Sequence, residues 1–303
     1  MDEIELGIAE DTDTDTVTEA TRAWAAEKGR LFGIAYRILG DAGHAEDVVS
    51  EVGIAAVVHE RKTDEAIASW PAWLTTVGVR RAIDRSRHLA SIKEDYPGPW
   101  LPEPVATDQL PEDAVANREL LSLTLLHLAE QLSPEARAAF VLNRAFDMSA
   151  EEVARILEKK PAAVRQMVSR AARRLDVDQP VTRAADRTVL TRLIDAIHSG
   201  DLSTALSLLL AEDAVFWADG GGKVSSALNP IFGAVRITRF FSSVITPGDP
   251  NGLDFKGIVD VNGGVVVAVV RADHDHVLEV QVDAADRVCG LRLVSNPGKL
   301  GRI

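Results

Sequence analysis

The sequence predicts a multidomain chain: two successive all-α units, the second built around a helix-turn-helix, followed by an α+β domain. Three observations predict it. Apolar residues recur at helical spacing from about Glu19 to Ala90 and again over residues 112–175, with a proline-rich interruption between. Within the second stretch, Ser149 to Leu175 carries the cap and turn signals of two short consecutive helices. From residue 184 the texture changes to β-type runs such as AVFWAD, GGVVVAVVRA and RVCGLRLVSN.

In the first unit, residues 19–90, Leu31, Ile34, Ala35, Ile38 and Leu39 form one helical stripe that Gly40 stops, and Val48, Val52, Ala55 and Ala56 begin another. A third helix starts near Ser69, with Pro71 tolerated in its first turn. Its segment WPAWLTTVGVRRAIDRSRH interleaves tryptophans with Arg80, Arg81, Arg85 and Arg87, a pattern suited to stacking unpaired bases and holding phosphates. Trp73 suits a core position equally well.

The linker, residues 91–111, contains PGPWLPEP, Pro97 to Pro104. Each proline fixes its own φ, removes a donor and pushes the preceding residue toward extended backbone, so this run is a stiff strut. Trp100 and Leu101 are costly to leave in water, and some other surface is expected to receive them.

In the next unit, residues 112–176, Ser149 and Glu152 form a capping box that opens a short helix with Val153, Ile156 and Leu157 inward. After a brief turn, Pro161 sits where the next helix needs no donor, and Val164, Val168, Ala171 and Leu175 give that helix its buried stripe. The opposite stripe carries Gln166, Ser169, Arg170 and Arg173, flanked by Arg165, in reach of base edges and phosphates in a major groove. Glu158 occupies the turn where glycine is usual, so the turn avoids positive φ or accepts strain. The last region, 184–303, places helices first and a curved antiparallel sheet after.

Composition bounds the function. At 303 residues and 46% hydrophobic, the chain has material for several cores. No apolar run approaches a membrane span, and the N-terminus is acidic rather than basic and then apolar, so a cytoplasmic protein with no membrane partner is expected. The single Cys289 excludes an internal disulfide and a Cys-rich zinc site, and reads as a core residue; neither metal nor cofactor is expected. A net charge of −13 argues against a protein that coats nucleic acid indiscriminately. Much of that excess lies in an acidic tail, residues 1–18, expected to be disordered. Residues 155–174 instead hold seven bases against Glu158 alone, a local phosphate-facing surface.

Taken together, AYRILGDAGHAEDVV, AWLTTVGVRRAIDRSR and LSPEARAAFVLNRAFDMSAEEVARILEKKPAAVRQMVSRAARRL resemble the sigma-two and sigma-four domains of extracytoplasmic-function sigma factors. The likeness is closest to the subgroup with a SnoaL-like C-terminal extension. Its motifs are WLPEP (Trp100, Leu101, Pro102, Glu103, Pro104), DGGGK (Asp219, Gly220, Gly221, Gly222, Lys223) and an NPDKL-like terminus, here Asn296, Pro297, Gly298, Lys299 and Leu300. Three departures stand out: Gly298 replaces an acid, Ser50 follows the AED triplet where glutamine is common, and Gly53 stands where a large residue is usual.

The resemblance implies all-α sigma-two and sigma-four domains followed by an α+β SnoaL-like cone, and a promoter-recognition function rather than an enzyme. By it, Tyr36, Arg37, Asp47, Val48 and Glu51 grip core RNA polymerase. Trp73, Arg80, Arg81, Asp84, Arg85 and Arg87 capture the melted −10 element, and Lys160, Arg165, Gln166, Ser169, Arg170 and Arg173 read the −35 element. The WLPEP, DGGGK and terminal motifs are implied to regulate in cis, with no separate anti-sigma factor required.

The rival reading is a DNA-binding module fused to a small-molecule-binding or cyclase/isomerase-like domain, because SnoaL-like cones enclose an apolar pocket fit for a small ligand. Asp219, Asp254, His198, His274 and His276 are its acid–base candidates, and nothing in the sequence pairs them. The DHDH run is expected to be a solvated loop. DGGGK lacks the GxxxxGK[ST] spacing of a phosphate loop and is expected to be a turn at a domain contact.

Overall fold

A computed structural model describes residues 18–62, 66–114, 118–175, 182–198, 202–245, 253–271 and 274–303. All but the last residue of the expected acidic tail lies outside them.

Three long helices open the chain: α1 (Glu19–Leu39), α2 (Ala42–Lys62) and α3 (Trp70–Glu94). Thr18 caps α1 by accepting from the Thr21 amide, and Gly40, at φ 68°, ends it in the left-handed conformation that costs glycine least. Ser69 caps α3, with Pro71 in its first turn. The helix runs to Glu94, beyond the expected linker start at 91, because nothing in SIKE breaks helical periodicity before the prolines.

Gly53, a departure from the family pattern, has a local reason. The Trp24 ring lies over it, 2.9 Å from where a Cβ would stand, and the indole donates to the Val49 carbonyl. The space a large side chain would take at this position is filled by Trp24 of α1.

The second helical unit comprises α4 (Leu123–Ala129), α5 (Pro134–Arg144), α6 (Ala150–Leu157) and α7 (Pro161–Leu175). The Ser149–Glu152 capping box is formed in both directions. Glu158 ends α6 at φ 55° and ψ 41°, so the turn accepts left-handed strain. The two helical units are not separate beads. One apolar core runs from Leu31, Ile34 and Val79 through Val105, Leu110 and Leu121 of the connecting segment to Ala138, Leu142, Val153 and Val164. At its centre, Gly33 of α1 lies so close to Ala114 that a Cβ would stand 2.9 Å from the alanine backbone.

The C-terminal domain contains β1 (Thr182–Ala184), α8 (Arg187–His198), α9 (Leu202–Leu209), β2 (Leu210–Asp219), β3 (Ile231–Phe232), α10 (Ala234–Val244), β4 (Leu253–Val261), β5 (Gly264–Arg271), β6 (His274–Asp283) and β7 (Val288–Val294). The sheet order is β3-β2-β7-β6-β5-β4, with β1 also paired to β6; β2 and β7 run parallel and the other pairs antiparallel. Strand β6 explains how the domain is joined to the rest. Its even residues Leu278, Val280 and Val282 face the domain's own core, while Val277 packs with Leu123 of α4, Val266 of β5 and Val261 of β4. The strand is covered on both faces although Glu279 and Gln281 give it the alternation of a half-solvated one, and Glu279 is buried.

At the β4–β5 turn Asn262, with φ 53°, and Gly263 make a tight reversal whose tip enters the helical units. Replacing Gly53 with alanine should push the Trp24 ring off α2 and lower unfolding free energy by about 1–3 kcal/mol. Urea titration checks it, with Ser50→Ala on the same helix as the control.

A candidate nucleic-acid interface and the clasp behind it

The helix that carries the local basic excess presents it outward. On α7, Val164, Val168, Ala171 and Leu175 are buried, whereas Arg165, Gln166, Ser169, Arg170 and Arg173 are exposed, as is Lys160 just before the helix. Arg165 pairs with Glu151 at 2.9 Å, with both side chains more than 60% exposed, so solvent leaves that pair little energetic weight. The expected duplex-reading stripe is a continuous, solvent-facing surface.

The second expected surface is differently placed. Trp73 is half-buried against Trp70 and His59, with ring centroids 5.6 and 5.2 Å away, so it serves the local core as well as the surface. Each arginine of α3 carries an acidic partner. Arg81 and Arg85 reach Glu51 at 2.7 and 2.8 Å, Arg85 also reaches Asp47, and Arg87 binds Asp84 and Glu135, both at 2.8 Å. Arg80 binds Glu158, in the turn of the helix-turn-helix, at 2.7 Å and reaches the Ile156 carbonyl. Glu135 also takes Lys159 at 2.8 Å. Thus α3 and the helix-turn-helix are linked to each other in this arrangement.

Three residues of the expected polymerase-gripping set are covered in this arrangement. Tyr36, Arg37 and Val48 are 0%, 2% and 1% exposed and offer nothing to a partner here. The Tyr36 hydroxyl donates to the Glu103 carbonyl at 2.5 Å and accepts from the Asn262 amide at 2.9 Å, and burial pushes its pKa up. Arg37 donates to the Ala114 carbonyl at 2.9 Å and lies over the Phe146 ring; burial draws its pKa down to about 10. Asp47 is exposed and Glu51 half-exposed, and beside them Ile54 and Val58 leave apolar surface in solvent. Those two were missed because only the helix register, fixed by packing, shows which apolar residues of α2 face outward.

The three motifs of the linker and C-terminal domain converge on Asp219, which is fully buried at the end of β2. Its carboxylate fills four acceptor sites. Oδ1 accepts from the Tyr96 hydroxyl at 2.5 Å and the Gly221 amide at 3.1 Å; Oδ2 accepts from the Leu101 amide at 2.9 Å and Lys299 Nζ at 2.7 Å. Lys299 also donates to the Leu101 carbonyl at 2.5 Å and stands 3.4 Å from the Trp100 ring centroid, with Tyr96 at 5.1 Å. An ammonium so placed has its donors and its charge satisfied away from water. Burial draws its pKa down to about 8, against the opposing pull of Asp219.

The glycines of DGGGK fit because nothing larger would. A Cβ at Gly221, φ 60°, would stand 2.2 Å from the Asn296 amide nitrogen; at Gly222, φ 68°, it would stand 2.7 Å from Pro97. Asn296 in turn donates to the Tyr96 hydroxyl, and the Ser295 and Asn296 amides donate to the Asp219 carbonyl. Lys223 and Pro297 are exposed and Leu300 is half-buried. Lys223 Nζ lies 2.7 Å from the Cβ position of Gly298, beside the spot where an acid is usual.

The rest of WLPEP is tied down as well. Leu101, Pro102, Glu103 and Pro104 are buried. Glu103 accepts from the Ala42 amide at the start of α2 and pairs with Arg302, which forks onto Glu46 at 2.8 and 2.7 Å. Asn262, also missed, accepts from the Val105 amide and donates to Tyr36 and the Leu121 carbonyl. Its VNGG turn was a legible hairpin signal, but not its destination. A last contact joins Arg292 and Glu279 of the sheet to Thr124 and His127 of α4. Burial, with Arg292 beside it, draws the His127 pKa down to about 4.

Of the acid–base candidates, only His274 and His276 come together among the described residues, their ring centroids 4.8 Å apart. Asp219 serves the clasp, and the side chains of His198 and Asp254 lie outside the described residues. His274 and His276 are strand residues rather than a solvated loop, because β6 pairs with β5 through them; His276 is buried and shares a 2.7 Å hydrogen bond with Ser295. Cys289 is half-buried, its thiol donating to the Gln281 carbonyl. No helix among the described residues is long and apolar enough to cross a membrane.

Asp219→Asn should cost about 3–5 kcal/mol, since it leaves Lys299 buried without its carboxylate. Denaturant titration reads the loss, and small-angle scattering should show expansion. Lys299 gives a pH signature. Its folded pKa lies below the ordinary 10.5, so between about pH 8 and 10.5 the unfolded chain holds a proton that the folded chain has shed. The stability of the wild type relative to Lys299→Met should therefore rise with pH across that window.

Comparison with known proteins accords with this geometry. The Sigma-70 region 2 family matches residues 24–92 and the Sigma-70, region 4 family matches residues 122–175. The chain is similar to the ECF RNA polymerase sigma factor SigJ of Mycobacterium tuberculosis, at 33% identity over 291 residues, covering 90% of this chain and 91% of that protein. It is also similar to the probable ECF RNA polymerase sigma factor SigI of the same species, at 29% identity over 194 residues, covering 62% and 66%. The crystal structure of the M. tuberculosis SigJ matches with a TM-score of 0.72 at 31% identity, covering 94% of this chain and all of that one.

Proposed function

This chain belongs to the extracytoplasmic-function sigma factors, which direct RNA polymerase to promoters, and on that premise we propose that its SnoaL-like domain tunes promoter use in cis through the Asp219–Lys299 clasp. The observation that carries the proposal is the grip of Asp219 and Lys299 on the amide and carbonyl of Leu101, in the segment between the two DNA-reading units.

In this reading the free chain is closed. The α3 arginines are neutralised by acids, two of them, Glu135 and Glu158, in the unit that reads the other promoter element. Exposed ion pairs of this kind are worth about 0–1 kcal/mol each, so the shared apolar core, not the charges, holds the units together. Core polymerase draws them apart, α3 exchanges its acids for phosphates of the melted −10 strand, and α7 enters the major groove at −35. Lys160, Arg165, Gln166, Ser169, Arg170 and Arg173 carry the second task; Trp73, Arg80, Arg81, Asp84, Arg85 and Arg87 carry the first. Asp47, Glu51, Ile54 and Val58 present the first surface to polymerase, and Tyr36, Arg37 and Val48 become available only after opening. The protein works in the cytoplasm, and the clasp makes a separate anti-sigma factor unnecessary.

Run-off transcription with core polymerase and a cognate promoter tests this. Arg170→Ala or Arg173→Ala should weaken promoter binding by about tenfold or more where the side chain meets a base, and reduce the salt slope where it meets phosphate. Trp100→Ala should change transcript yield and solution dimensions together; unchanged values of both would end the case for cis control.

A further inference from the structure

Two of the departures from the family pattern, Ser50 and Gly53, stand about one turn apart on α2, and both are smaller than the residue usual there. They border a groove of about 420 Å³ between α1 and α2, lined by Trp24, Ser50, Gly53, Ile54, Val57 and Val58. One wall is the Trp24 indole, which reaches across from α1 to lie 2.9 Å from where a Gly53 Cβ would stand. Its N–H donates to the Val49 carbonyl at 2.9 Å, so the ring is already held and has little freedom left to lose when a partner covers it. The other wall is Ile54 and Val58, 66% and 42% exposed, apolar surface that is costly to leave in water.

The pattern along α2 says what such a groove receives. Asp47, Glu51, Ile54 and Val58 recur at spacings of four, three and four residues, the seam of a helix that packs on another helix. Ile54 and Val58 make an i, i+4 ridge, with the Trp24 groove on one side and a second hollow, lined by Glu51, His59 and Trp73, on the other. A helix laid on such a ridge sets its own side chains into the hollows that flank it. The seam is acidic toward Asp47 and apolar toward Val58, so the complementary helix carries a base at one end of the contact and apolar residues at the other. This groove is continuous with the surface assigned to core polymerase. Unlike Tyr36, Arg37 and Val48, it stands open while the units are closed on each other.

On the reading that α2 faces polymerase, we propose that this groove seats a large apolar side chain from a helix of core RNA polymerase. Trp24 is the anchor of that contact, standing in from α1 for the large side chain that the family pattern roots on α2 at position 53. A tryptophan lodged against well-packed neighbours is the kind of residue that carries most of an interface's energy. The first helix thereby becomes part of the polymerase-binding surface, and the trimmed side chains of Ser50 and Gly53 serve one purpose: they leave room for the imported ring and for what packs on it.

The affinity of the full chain for core polymerase is the measurement, with circular dichroism and urea titration to show that each variant folds. Ser50→Trp, at an exposed position, fills the groove from outside and should weaken binding about tenfold or more, as should Trp24→Ala. Ala26→Trp, which adds the same bulk at an exposed position of α1 outside the groove, should leave binding unchanged. Joining Gly53→Phe to Trp24→Ala returns an aromatic ring to α2 and should recover binding to within about threefold of the wild type. Where Trp24→Ala alone misfolds, Ser50→Trp and the double variant decide. Unchanged affinity in Ser50→Trp overturns the groove as a polymerase site, and a folded double variant that does not recover overturns the role of Trp24. Ile54→Asp separates these failures from failure of the underlying reading. Weak binding by Ile54→Asp with full binding by Ser50→Trp overturns the groove alone; full binding by both overturns the assignment of α2 to polymerase. A dimer of the free chain that Ser50→Trp dissolves would give the groove to a second copy and overturn its polymerase occupant.

Discussion

A single buried ion pair decides how this molecule is assembled. Asp219 and Lys299 are 0% and 4% exposed, in a protein where most other ion pairs lie at the surface. Taking both charges out of water is expensive, and the pair persists because every lone pair and proton it has is used. Two of those uses belong to the linker backbone and one to the face of Trp100. The ions thus satisfy each other and, by the same contacts, fix where a proline-stiffened segment lies. Without the linker, the pair would be buried with empty valences; without the pair, the linker would lose its hold at Trp100 and Leu101.

The two surfaces proposed to read DNA stand in contrasting electrostatic states. The α7 stripe is free of strong partners and faces solvent, whereas the α3 arginines are matched one by one with carboxylates. For an acidic protein this is an economical way to withhold basic charge from nucleic acid without burying it. Solvent screening keeps each pair weak, and a polyanion can compete for the arginines once the apolar contacts between the units are relieved.

Much of the architecture was legible because it is written locally. The Ser149–Glu152 box, Gly40, Ser69 with Pro71, and the two-sided stripe of α7 are decided by residues within a turn of each other, and each holds. Trp100 in a run of prolines required a receiving surface, and the structure supplies Lys299 and Tyr96. What was not legible depends on register and on partners distant in sequence. The family resemblance marks Tyr36 and Arg37 as contact residues, yet in this arrangement the linker and Ala114 cover them. DHDH looks solvated by composition, but its pairing with β5 turns His276 inward. Periodicity names the buried face of a helix; it does not name what buries it, so the shared core of the two helical units stayed invisible.

The clasp joins groups far apart along the chain: 198 residues separate Leu101 from Lys299. At roughly 5–20 residues per second, a ribosome completes the first two units, which end at Leu175, about 6–25 s before the lysine exists. During every round of synthesis the tryptophan in the proline run therefore waits without its receiver, and the helical units meet polymerase or each other first. The order of translation gives each new molecule a brief unclasped youth.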